Sequence, residues 1–114
     1  MEELPANYLY GYPGFSVSIA AVTEERTLVG VVVDPLHGET WTAVAGGGAR
    51  CNGVALPGPT PGPLGSTLLA TGFSYDPKRR ARQGRVLAEV LPRVRDVRRG
   101  GAAAVDLCWV GRGR

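Results

Sequence analysis

The stretch "TLVGVVVDPLHGETWTAVAGGGARCNGVAL", residues 27 to 56, decides the fold. Its apolar runs, "TLVGVVVD" (27–34) and "ETWTAVA" (39–45), are rich in β-branched residues and too short for buried helices. Turn chemistry separates them: Asp34-Pro35 with Gly38, then Gly46 to Gly48, then the hairpin dipeptide Asn52-Gly53 before a last short strand. Upstream, "FSVSIAAV" (15–22) alternates as a strand does and reaches residue 27 through the polar turn "TEER". The first part therefore reads as an antiparallel meander.

Beyond it the character changes. "PGPTPGPLG" (57–65) reads as a surface connection, and "TLLATGF" (67–73) as a short buried strand. Helical periodicity follows. Val86, Leu87, Val90, Leu91 and Val94 form one apolar face, while Arg79, Arg82, Arg85 and Glu89 hold the other, and Pro92 is expected to end or kink the helix. "DVRRGG" (96–101) is a brief extended piece into a turn, and "AAAVDLCWV" (102–110) resumes a helical pattern. The expected organisation is a β-meander half over 1–56, a Pro/Gly-rich connection over 57–66, and a βαβα half over 67–114 truncated at its C-terminus. Such a chain would leave sheet edges and its apolar last helix exposed, so association is expected when it is expressed alone.

At 114 residues the chain fits one domain. Charge is uneven: residues 1–77 carry two basic and seven acidic groups, whereas 78–114 carry eleven basic and three acidic, which raises a polyanion partner as one reading of residues 78–99. That reading predicts steep salt dependence and no metal requirement. The basic stretch "KRRARQGR" (78–85) has no interleaved aromatic and no nucleic-acid motif, so it reads first as a solvated helix face and no nucleic-acid partner is expected. Cys51 and Cys108 form no CxxC pair, and with a single His they suggest neither a zinc site nor a disulfide framework. Reduced thiols, the absence of a long apolar stretch and the acidic Met1-Glu2-Glu3 start lead to the expectation of a cytoplasmic protein with no membrane partner.

Four segments then come into register: "NYLYGYPGFSVSIA", "GVVVDPLHGETWTAVAGGGARCNG", "LLATGFSYD" and "VRRGGAAAVDLCWVGRGR". In this order, from Asn7 to Arg114, they resemble the inositol monophosphatase family of magnesium-dependent, lithium-sensitive phosphatases. The resemblance implies a layered α/β fold, of which this chain would be a central portion. It also implies hydrolysis of a phosphate monoester, inositol monophosphate or a related sugar or polyol phosphate, with Mg²⁺ as cofactor. For a complete enzyme it allows a homodimer.

The family's metal box resembles DPIDGT and stands just upstream of a "GYPGFSVSIA"-like stretch. Here Asn7 and Tyr8 match its tail, while "MEELPA" replaces the box; Glu3 overlays one box Asp by count only. The ligands implied for magnesium are a Glu upstream of the box, its two Asp residues and an Asp in a late "WDxAAG"-like motif, and none matches. "DPLHGET" (34–40) looks like a metal box in isolation, but it falls one strand later, so Asp34 and Pro35 are expected to build a turn, with His37 a lone loop imidazole. No catalytic and no metal-binding residue is assigned, and Mg²⁺ is not expected on this chain.

One functional piece matches. The family's substrate segment resembles Gly-Ser-Ala-Ala at a helix start, which carries over to Gly101, Ala102 and Ala103 as substrate-binding residues, with Ala102 lacking the usual hydroxyl. The same "GGAAA" string also reads as a small-residue packing contact. Gly46 to Gly48 lack the Lys-Ser/Thr of a phosphate loop and read as a hairpin turn, and Ser16 and Ser18 belong to a strand. The expectation is a segment of a Mg-dependent phosphomonoesterase, inactive by itself. The alternative is a non-catalytic binding module that keeps the turn at Gly101.

Overall fold

The computed structural model describes residues 5–114, so Glu3 and the replaced box segment before Pro5 lie outside the described residues. It is a mixed α/β structure whose contacts fall into two units, residues 1–59 with 101–114, and residues 60–100. The first unit opens with a helical turn, α1 (Ala6–Leu9), followed by five strands: β1 (Val17–Val22), β2 (Thr27–Asp34), β3 (Glu39–Val44), β4 (Gly48–Cys51) and β5 (Val54–Ala55). They pair in chain order as an antiparallel sheet, as the spacing of the turns predicts. Asn52 and Gly53 both take positive φ, 48° and 80°, the geometry that a two-residue hairpin between β4 and β5 requires. Two features differ from the sequence reading. The helical turn α1 precedes β1, and β1 starts at Val17 because Phe15 packs edge-on against Tyr8, ring centroids 5.2 Å apart.

Register decides which residues share a face. Ser18, Val32, Trp41 and Cys51 stand opposite one another across four strands, and Asp34 stands opposite Glu39 on the same face. This is the side that buries Asp34, Glu39, Trp41 and Cys51. Helix α3 (Ala103–Arg112) packs on the sheet along β2, with Val105 buried. The other side presents Val17, Ile19, Val29 and Val44, all exposed among the described residues.

The second unit is a βαβ crossover: β6 (Leu68–Ala70), α2 (Pro77–Val90) and β7 (Asp96–Arg98), with β6 and β7 parallel. Asp76 caps α2 by accepting from the Lys78 N–H at 3.0 Å, and Pro77 occupies the first turn where its missing N–H is harmless. The helix ends at Val90 in a 3₁₀ turn, Leu91–Arg93, that contains Pro92. The expected apolar face is therefore cut short. Val94 is buried in extended backbone, while Val86 and Leu91 stay exposed.

Candidate functional site

Helix α3 starts from a glycine turn. Gly101 holds φ at +82°, a conformation that L side chains rarely adopt, and Ala102 is an N-cap with no side-chain hydrogen bond. Intrahelical bonding begins with the Asp106 N–H onto the Ala102 carbonyl at 3.0 Å, so the amides of the first turn project from the helix start. Gly101 and Ala103 are exposed and Ala102 half-buried. Ala102 has no hydroxyl with which to cap this helix, and the carboxylate of Asp106 lies in its first turn.

The rest of α3 is fastened to the sheet by one carboxylate. Glu39, buried at the start of β3, accepts from Trp109 Nε1 at 3.2 Å, from Arg112 Nη1 at 3.3 Å and from Arg114 through both terminal nitrogens at 3.3 and 2.8 Å. Burial pushes the Glu39 carboxyl up, but hydrogen bonds from Arg114 and Trp109 and the charges of Arg114 and Arg112 outweigh it and leave it below the ordinary value. The guanidiniums also stack, Arg112 over Trp41 at 5.9 Å and Arg114 over Trp109 at 5.6 Å. These partners lie 70 to 75 residues from Glu39, and the sequence reading missed the cluster. The signal for it was the acidic residue opening a strand otherwise apolar on that face, together with the terminal "GRGR".

The "DPLHGET" stretch resolves into turn chemistry. Asp34 Oδ1 accepts from the Leu36 and His37 N–H groups at 3.1 and 3.2 Å, and Oδ2 lies 2.7 Å from His37 Nδ1. The His37 ring in turn stands edge-on to Trp109, with centroids 5.3 Å apart. Asn52 closes the turn from the neighbouring hairpin, accepting from the Thr40 N–H at 2.8 Å and donating to the Gly38 carbonyl at 3.0 Å. Every oxygen of the two buried carboxylates is thus already held by a donor. No cluster of three acidic, His or Cys residues gathers around either carboxylate among the described residues.

A pocket of about 310 Å³ lies within the first unit between the sheet and α3. Ala104, Leu107, Cys108 and Gly111 face Ser18, Val32, Trp41 and Ala43 across it. Small residues on both walls leave it open and mostly apolar, and Arg50 is the charged residue in its lining. Burial, together with the nearby Cys51 and Glu39, pushes the Cys108 thiol up, the opposite of an activated nucleophile.

The order of strands and the helix-start turn define a class, and comparison with known proteins agrees. The inositol monophosphatase family matches residues 6–114, and the chain belongs to that family. It is 42% identical over 109 residues to the Nus factor SuhB of Haemophilus influenzae, covering 95% of this chain and 41% of that protein. It is 40% identical over 119 residues to the inositol-1-monophosphatase of Mycobacterium leprae, covering 95% of this chain and 38% of that protein. The solved structure of Mycobacterium tuberculosis SuhB superposes with a TM-score of 0.87 at 40% identity, over 95% of this chain and 46% of its own length. The chain therefore spans about two fifths of the curated relatives it matches.

Proposed function

We propose that this chain is the segment of a magnesium-dependent phosphomonoesterase that supplies the central meander and the substrate-facing start of α3. The substrate is inositol monophosphate or a related sugar or polyol phosphate, and the setting is cytoplasmic. The observation that carries the reading is the turn at Gly101: a positive-φ glycine opening a ten-residue helix whose N-cap, Ala102, makes no side-chain hydrogen bond, in a segment that falls within the family match. Gly101 allows close approach, Ala102 and Ala103 offer backbone N–H groups to substrate oxygens, and the helix dipole favours their partial negative charge. Loss of the serine hydroxyl at Ala102 relaxes selectivity among polyols. The metal ligands that the resemblance implies fall in family segments that this chain does not match, and the isolated chain is inactive.

A chimera tests this: residues 7–114 replace their counterpart in the Mycobacterium leprae relative, and phosphate release from myo-inositol 1-phosphate is measured with and without magnesium. Magnesium-dependent turnover in the chimera, with none in the isolated chain, supports the proposal. A folded chimera with no turnover favours the second reading, a non-catalytic binding module that keeps the turn at Gly101.

A further inference from the structure

We propose that the solvent-facing stripe of α2, together with Tyr75 just before it, is a docking surface for single-stranded nucleic acid. The surface belongs to the second unit and stands apart from the phosphatase reading. Lys78, Arg82 and Arg85 follow helical spacing on one face, opposite the half-buried Gln83, Leu87 and Val90, and Arg79 flanks them. All four cations are exposed. Only Arg79 has an acidic partner among the described residues, Asp76 at 3.8 Å.

This charge is placed where the helix itself gains little from it. Lys78, Arg79 and Arg80 crowd the first turn, where the N-cap carboxylate of Asp76 faces three cations and the positive end of the helix dipole. Lys78 with Arg82, Arg79 with Arg82, and Arg82 with Arg85 are like-charge pairs at spacings of three and four, which repel. The last turn, where cations would be favourable, has none. The Asp76 cap offsets only part of this crowding, and a chain of phosphates relieves the rest.

Charge alone fits any polyanion; the aromatic narrows it. Tyr75 is 73% exposed, yet its backbone is pinned on both sides: the Ser74 N–H donates to Gln83 Oε1 at 2.9 Å, and the Asp76 N–H to Ser74 Oγ at 3.1 Å. An uncovered ring on a pinned backbone at the head of a cationic stripe is a stacking platform for an unpaired base. A duplex keeps its bases stacked inside, and a sulfated sugar has none, so neither uses the ring.

Fluorescence anisotropy of a fluorescein-labelled, unstructured RNA of about 20 nucleotides, titrated with the 114-residue chain between roughly 50 and 200 mM KCl, tests the proposal. Contacts to three or four phosphates give a slope of log K against log salt of about −2 to −3. Arg82→Gln with Arg85→Gln makes the slope shallower by about 1.4, and Lys at both positions restores it. Tyr75→Ala weakens binding by about tenfold or more at an unchanged slope. Absence of saturable binding at the lower salt, or binding unaffected by the double Gln variant, overturns the proposal. So does a Tyr75→Ala variant that binds as the parent does.

Discussion

The two units build stability in different ways. In the first, five strands stack Trp41 and Cys51 in one row, and a single carboxylate, Glu39, gathers Trp109, Arg112 and Arg114 from the far end of the chain. In the second, two strands of three residues and one helix bury Val94 alone. Sheet register and one buried ion cluster hold the first unit, whereas local helix signals, the Asp76 cap and Pro77, carry the second. The first should thus respond strongly to single core changes and the second weakly.

The largest expected effect follows from Trp41. Trp41→Ala removes the central side chain of the buried row and should lower the unfolding free energy by about 3–5 kcal/mol, read from urea denaturation followed by circular dichroism. Trp41→Phe should do far less harm, because the indole N–H is buried without a hydrogen-bond partner among the described residues and its loss releases that penalty. Equal losses in the two variants would mean that shape, not desolvation, dominates at this position.

Next comes Glu39→Gln, expected to lose about 1–2 kcal/mol, since the arginines are partly solvated and take up some of the change. The folded carboxyl sits below its ordinary value of 4.5, so its contribution is complete above that pH and is lost as pH falls through the lower folded value. Unfolding measured as a function of pH should show an acid limb that flattens in Glu39→Gln. An unchanged limb would assign acid sensitivity to other carboxylates.

Legibility follows the same division between local and distant causes. The meander could be read because each of its turns is written in adjacent residues, Asp34-Pro35, Gly46 to Gly48 and Asn52-Gly53, and the structure puts a turn at each. Helix α2 could be read in type and in its stop at Pro92, but not in the fate of its last apolar positions, which that proline turns into a 3₁₀ turn and extended backbone. The clasp at Glu39 could not be read, since it depends on how α3 packs across the sheet and no spacing rule reaches over 70 residues. At the candidate site the residues were legible only through the resemblance, while the bare amide geometry at Ala102 needed the backbone.

In the second unit, Val94→Ala removes two methyl groups from its one buried side chain and should lower stability by about 1.5 kcal/mol. Native-state hydrogen exchange separates the units: amides of β6 and β7 should speed up while those of β2 and β3 keep their protection. Uniform acceleration would show that the two units unfold together.

The smallest expected effect on stability falls at the candidate site. Gly101→Ala forces an alanine to φ +82°, a change of about 1 kcal/mol, although α3 stays held by Glu39 at its other end. In the active chimera the same substitution should raise KM for myo-inositol 1-phosphate much more than it lowers the melting temperature, because the added methyl group and the displaced amides both meet the substrate. The reverse substitution, Ala102→Ser, restores a capping hydroxyl and should sharpen discrimination between polyol phosphates. If Gly101→Ala shifts stability but leaves KM unchanged, the glycine serves only to let α3 pack, and the substrate role at this turn falls.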